Sequence, residues 1–299
     1  MLEKFSWRKL GALFLALFLI AGLAACGQGG ASTPADGKSA GTSTGSPTLD
    51  AIKQRGKLVA GVKYDTKLFG YKDPATGKVE GFDVDLARLL AEKILGDPNK
   101  VELVEVTSKT RIPMLKNGDI DVIIATMTIT KKRMEEIDFS NAYYVAGQSL
   151  LVPKGSRIRG IQDLDENTTV IGVKGSTSVQ NIREKAPKAK VAEYDNYAEA
   201  FNALRSGKGD ALTTDNVILL GMHQQDPNYV LVGGLFTTEP YGIGIRKGDR
   251  VFVEYVNEFL KEIKANGKYA EIYKKWLQEE PQEKDLKAID GEFTIPEGS

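Results

Sequence analysis

The chain is 299 residues long, with 41% hydrophobic and 27% charged residues, and 40 Lys and Arg balance 40 Asp and Glu. That composition excludes a disordered chain and describes a globular protein, and the neutral balance supplies no field for nucleic acid. The length exceeds the roughly 100–200 residues of one domain, so two lobes are expected.

Lys4, Arg8 and Lys9 precede an apolar run from Leu10 to Leu23. The run falls short of the ~20 apolar residues of a membrane span. A basic start, a short apolar core and small residues make a secretion signal over 1–25. Leu23-Ala24-Ala25-Cys26 resembles a bacterial lipoprotein box, which implies a diacylglyceryl group on Cys26 and an extracytoplasmic head anchored to the cell membrane. The alternative is a plain signal peptide followed by a buried cysteine. Cys26 is the only cysteine, so the mature chain has no disulfide. Residues 27–47 are almost wholly Gly, Ser, Thr, Ala and Pro, which makes 26–48 a flexible tether.

From Leu49 onward, short β-rich runs alternate with amphipathic stretches, the pattern of α/β layers. A strand is expected at 58–62 and a helix whose apolar face carries Phe82, Leu86, Leu89, Leu90 and Ile94. A strand at 101–106, a short helix at 112–117 and a buried strand at 120–125 follow. A second set begins near Gln148: strands 149–152, 169–173, 189–193, 210–213 and 229–232, with helices 177–185, 197–206 and 215–225. The chain then gives a strand at 241–245 and helices at 249–265 and 267–278. The charged, Pro-containing segment after Glu279 is expected to fray.

Leu115, Gly118 and Asp121 recur at identical spacing as Leu204, Gly207 and Asp210. Each Asp is followed five residues later, at Thr126 and Asp215, by the carboxyl end of a strand, where open α/β sheets bind ligands. Two such lobes facing each other would bring both residues to one cleft; chance similarity is the alternative.

Enzymatic chemistry finds little support. The one histidine, His223, sits among Leu219, Leu220 and Met222, and no cysteine or second histidine completes a nucleophilic triad or a zinc site. No metal or cofactor is expected. Binding is better supported. The run from Ala125 to Arg133 places Thr126, Thr128 and Arg133 after a buried strand, and Gly175-Ser176-Thr177-Ser178 opens a helix whose N–H groups suit an anion. Arg133 can clamp a carboxylate with two parallel hydrogen bonds, and Asp215 can receive an ammonium. Each residue alone also fits a helix cap or a surface position.

Glu80-Gly81-Phe82-Asp83-Val84-Asp85-Leu86, the Ala125–Arg133 run, Ile137-Asp138-Phe139-Ser140 with Tyr143-Tyr144, and Gly175-Ser176-Thr177 with Asp215 resemble the family 3 bacterial solute-binding proteins, the amino-acid receptors of ABC importers. The resemblance covers residues 50–280. It implies a two-lobed, periplasmic-binding-protein-like (type II) α/β fold with hinge crossings near 145–149 and 236–240. Lobe 1 would comprise 49–146 and 238–282, lobe 2 147–237, and a tail 283–299. It also implies a monomer that binds one amino acid, hands it to an ABC permease and makes or breaks no bond. Arg133 would hold the α-carboxylate, aided by Thr128 and by the chain near Thr126, Ser176 and Thr177; Asp215 would hold the ammonium. Lys63 and Arg111 look like the cations of the acidic-amino-acid receptors, and Asp65 belongs to the same expected ligand-binding set, so glutamate or aspartate is expected first and glutamine next. For Lys63 and Arg111 the alternative is surface placement or a salt bridge to a local acid such as Asp65. A ligand-sensing or adhesive lipoprotein and a dehydratase on the same scaffold are the rival functions.

Overall fold

The computed structural model describes residues 43–296; the secretion signal and Cys26 lie outside the described residues. Helix α1 (Pro47–Arg55) begins earlier than the expected start of the head at residue 49, and the sequence gives the reason. Ser46 is its N-cap and Pro47 its first residue, a pairing that suits a helix start because proline lacks only an N–H that would go unpaired there. The Ser46 hydroxyl accepts from Leu49 N at 3.0 Å and donates to Asp249 Oδ2 at 2.8 Å, so the end of the expected tether is tied to the head.

The chain continues through β1 (Leu58–Val62), a small antiparallel sheet of β2 (Asp65–Thr66), β3 (Gly70–Lys72) and β4 (Val79–Glu80), and α2 (Phe82–Leu95). Then come β5 (Val101–Glu105), α3 (Arg111–Asn117), β6 (Val122–Ile123), α4 (Lys131–Glu136) and a ten-residue strand β7 (Ile137–Ala146). A second run holds β8 (Gln148–Pro153), β9 (Thr169–Val173), α5 (Thr177–Lys185), β10 (Lys190–Tyr194), α6 (Tyr197–Arg205), β11 (Ala211–Asp215), α7 (Asn216–Gln225) and β12 (Tyr229–Val232). Finally β13 (Glu239–Arg246), α8 (Arg250–Ala265), α9 (Lys268–Leu277) and α10 (Glu283–Ile289) close the chain.

Two five-stranded sheets result, ordered β5-β1-β6-β13-β7 and β10-β9-β11-β8-β12. Each has three parallel strands, a fourth antiparallel to them and a fifth antiparallel to the fourth. The chain passes between the sheets twice, from β7 to β8 and from β12 to β13. The crossings touch: Phe236 N donates to Gln148 O at 3.0 Å, and Gln148 N donates to Thr237 Oγ1 at 3.0 Å.

The short sequence echo has a physical counterpart. Asp121 Oδ2 accepts from Val59 N at 2.8 Å in β1, and Asp210 Oδ2 accepts from Thr169 N at 2.7 Å in β9. In both lobes the same aspartate ties the third parallel strand to the first. Gly118 and Gly207 precede it with φ of 84° and 69°, the left-handed turn that ends a helix and suits glycine.

The segment after Glu279 does not fray as expected. Helix α10 packs on the long strand β7, with Ala288 and Ile289 fully buried. Asp285, also fully buried, accepts from Val145 N at 2.7 Å and from Tyr273 Oη at 2.9 Å. The charge that made this segment look solvated is the acceptor for a backbone N–H of the hinge strand, and a buried N–H needs such a partner.

Candidate functional site

Of the residues singled out from sequence, Arg133, Ser176 and Thr177 line one cavity between the lobes, and all of the charged ones except Asp65 are deeply buried. Arg133 stands in α4 on the first lobe. Its Nη1 donates to Thr128 O at 2.7 Å, and its Nη2 reaches across to Gly175 O at 3.1 Å in the second lobe. The carbonyl grip pins the guanidinium at the mouth of the cleft. A cavity of about 370 Å³ opens beside it, lined from one lobe by Ser108, Thr130 and Arg133 and from the other by Gly175, Ser176 and Thr177.

Gly175 has φ of +78°, and a Cβ there would lie 2.8 Å from Ser108 O and 2.9 Å from Lys109 Cα. Both atoms are backbone of the opposite lobe, so only glycine lets the lobes approach this closely. The next residue, Ser176, is the N-cap of α5 but does not cap it, because its hydroxyl donates to Val173 O at 2.6 Å. The first N–H groups of α5 therefore lack a side-chain acceptor. The Thr177 hydroxyl is already engaged, donating to Glu239 Oε2 at 2.9 Å and accepting from Gln148 Nε2 at 2.9 Å.

Thr126 has φ of 45°, an uncommon conformation for a β-branched residue. Asp83 holds it there: Oδ2 accepts from Thr126 N at 2.8 Å, while Oδ1 accepts from Tyr143 Oη at 2.8 Å. Arg111 adds a bond from Nη1 to Ala125 O at 2.6 Å. Three buried polar groups thus hold this strained conformation in place. Burial pushes the Asp83 carboxyl up to about 7, against the lowering effect of Tyr143 and the Thr126 N–H.

Lys63 and Arg111 lie deeper than the open cavity. Lys63 Nζ donates to Ser108 Oγ at 3.0 Å and sits 5.0 Å from the centroid of the Tyr197 ring in the opposite lobe. Burial lowers the lysine to about 7, with the Asp65 charge opposing and Arg111 and Arg133 assisting. Burial, then the Arg133 charge, also lowers Arg111. The Nε of Arg111 is the one buried side-chain polar atom among the described residues without a hydrogen-bond partner.

Asp215 closes β11 on the second lobe and accepts from Tyr241 Oη at 2.5 Å. Burial is the main cause that raises its carboxyl, followed by the Glu239 charge, while Tyr241, Arg133 and Gln148 oppose. Arg133 feels Asp215 in turn, so the guanidinium and the carboxylate from opposite lobes are electrostatic neighbours.

Asp65 is turned elsewhere. Its Oδ2 accepts from Tyr197 N at 2.6 Å, capping the first turn of α6 across the cleft, and it forms no ion pair with Lys63. An aspartate at a helix start complements the unpaired N–H groups and the helix dipole. Sequence reasoning missed Tyr197, Asp83, Ser108 and Glu239. Asp83 stood inside a quoted motif, and Glu239 was an acid beside an apolar strand; both were signals of buried acceptors.

Comparison with known proteins agrees with this geometry. The chain is 55% identical over 269 residues to the ABC transporter glutamine-binding protein GlnH of Bacillus subtilis (strain 168), which covers 90% of this chain and 97% of that one. It is 60% identical over 235 residues to the glutamine-binding protein of Geobacillus stearothermophilus, covering 78% and 90% of the two chains. Relatives named for glutamate or aspartate are more distant. The solved structure of an ancestral arginine-binding protein bound to glutamine matches with a TM-score of 0.71 at 43% identity, over 75% of this chain and 99% of that one. The architecture is thus the two-lobed type II periplasmic fold, and the similar proteins are binders of solutes, not enzymes. With a family match over residues 58–279, the chain belongs to the bacterial extracellular solute-binding proteins, family 3.

Proposed function

We propose that this protein is the substrate-binding lipoprotein of an ABC importer and that its ligand is an amino acid, L-glutamine ahead of glutamate and aspartate. The reading is supported by Arg133 and Asp215, one from each lobe, which are both buried and lie within electrostatic reach of each other. A zwitterion bridging them stabilises the closed arrangement by contacts it cannot make with one lobe alone. Arg133 and the start of α5 take the carboxylate, and Asp215 takes the ammonium. Cys26 carries the diacylglyceryl anchor outside the cytoplasm, and the closed monomer is what the membrane permease recognises.

The order of ligands differs from the acidic preference expected from Lys63 and Arg111. Lys63 is already bonded to Ser108, and burial lowers it to about 7, so near neutral pH its charge is only partly present and its pull on an acidic ligand is weak. Arg111 retains one unpaired Nε–H, a donor from which the carbonyl of a neutral side-chain amide can accept. The names of the similar proteins from Bacillus and Geobacillus support the same order.

A thermal-shift screen against the twenty amino acids tests this. L-Glutamine should give the largest rise, since a ligand at a hundred times its Kd adds about 2.7 kcal/mol to stability. A larger rise with glutamate or aspartate would restore the acidic preference, and no rise with any amino acid would defeat the reading.

A further inference from the structure

The two crossings between the lobes are joined by a closed ring of side-chain hydrogen bonds that the amino-acid clamp does not use. Gln148 opens β8 on one crossing and Glu239 opens β13 on the other; both are almost wholly buried. Thr177 and Asn181 stand one turn apart on α5. Gln148 Nε2 donates to Thr177 Oγ1 at 2.9 Å, and Thr177 Oγ1 donates to Glu239 Oε2 at 2.9 Å. Asn181 Nδ2 closes the ring, donating to Glu239 Oε1 at 3.2 Å and to Gln148 Oε1 at 2.9 Å.

The chemistry at position 239 is specific. Both carboxylate oxygens meet donors, and an ionised carboxylate is the one side chain that only accepts. An amide of the same shape would set an NH₂ against either the Thr177 hydroxyl or the Asn181 amide. The ring also fixes the start of α5, and with it the Gly175 carbonyl that Arg133 grips from the other lobe.

We propose that Glu239 is a positioning residue for ligand capture, holding the first turn of α5 against both hinge crossings so that its open N–H groups and Arg133 meet the ligand carboxylate together. The inference rests on the reading of Arg133 and α5 as the carboxylate anchor. Glu239 also acts at a distance on the ammonium end, because its charge helps to raise the Asp215 carboxyl. Other groups whose charge or hydrogen bonding is felt at Asp215 include Arg133 from α4, Arg111 from α3, Tyr144 from β7, Gln148 from β8, Tyr197 from α6 and Tyr241 from β13.

The test is calorimetric titration of the purified protein with L-glutamine between pH 5 and 8, for the unaltered chain, Glu239→Gln and Thr177→Val, with the ligand-free melt of each. Glu239→Gln should bind about tenfold more weakly at pH 8, since one buried donor loses its acceptor. Protonated Asp215 cannot hold an ammonium, so affinity falls as pH drops through its folded value. Without the Glu239 charge, that fall should move to lower pH. Thr177→Val, which keeps the backbone N–H, should weaken binding without moving the pH midpoint. If both variants bind as the unaltered chain does, or if Glu239→Gln weakens binding only in step with a lower melt and an unmoved midpoint, Glu239 is scaffold and the proposal is overturned. Absence of glutamine binding by the unaltered chain would overturn both this proposal and the functional reading beneath it.

Discussion

Arg133→Ala should weaken L-glutamine binding by roughly thirtyfold to several thousandfold, the range that corresponds to about 2–5 kcal/mol for removing one partner of a buried, hydrogen-bonded charge pair. The ligand carboxylate would then enter a buried site and find only helix N–H groups. Asp215→Asn should cost a similar amount at the other end, while its amide oxygen still accepts from Tyr241. The ligand-free melts should change little. In Arg133→Ala two carbonyls, Thr128 O and Gly175 O, lose a donor, but a desolvated cation disappears with it. Isothermal titration calorimetry beside differential scanning calorimetry separates the two effects. Retained affinity in either variant would mean that the clamp is assigned to the wrong residues.

Lys63→Met should make the ligand-free protein more stable while making it a poorer receptor for glutamate. Burial lowers Lys63 to about 7 in the fold, whereas the unfolded lysine keeps its ordinary 10.5. A folded value below the unfolded one means that the fold binds fewer protons between about pH 7 and 10.5. Lys63 therefore costs stability at and below neutral pH, and that cost fades as pH rises through this window. Methionine fills similar space without the charge and should raise the melt at pH 7 by on the order of 5–10 °C, from a few kcal/mol of relieved desolvation in a head of this size. The rise of stability between pH 7 and 10.5 should flatten in the variant. Glutamate, whose side-chain carboxylate gains from any cation, should lose more affinity than glutamine. A lower melt, or equal losses for the two ligands, would show that Lys63 is held for its contacts to Ser108 and Tyr197 rather than for its charge.

Both predictions turn on groups whose chemistry was readable in the sequence but whose surroundings were not. The alternation that placed β9 at 169–173 and α5 at 177–185 is a local signal, and these elements match it to the residue. The repeated Leu-Gly-Asp spacing was readable for the same reason. A glycine that ends a helix and an aspartate that ties the next strand to its neighbour act within one short stretch of each lobe. Helix α10 was not legible, because what holds Asp285 in the interior is Val145 N on β7, 140 residues earlier. The partner of Asp65 was hidden for a related reason. Its sequence neighbour Lys63 suggested an ion pair, whereas the group that claims it is the start of α6, 132 residues away in the other lobe.

The hinge strand β7 shows the same limit from the other side. The aromatic pair Tyr143 and Tyr144 was visible, but the strand's full run from Ile137 to Ala146 depends on its pairing with β13, about a hundred residues later. Tyr143, Tyr144 and Tyr241 cluster with Phe69 and Phe82 beneath the cleft, at centroid separations of 5.3 to 6.4 Å. Such a floor buries aromatic surface while leaving hydroxyls for Asp83 and Asp215, which suits aromatic residues with a polar tip.

The central claim is that both charged ends of one zwitterion are gripped at once, by opposite lobes. Titration calorimetry with L-glutamine beside N-acetyl-L-glutamine, which lacks the ammonium, and 4-aminobutanamide, which lacks the α-carboxylate, addresses it most directly. Both analogues should bind at least about thirtyfold more weakly than glutamine. Equal affinity for either one would contradict the two-ended clamp.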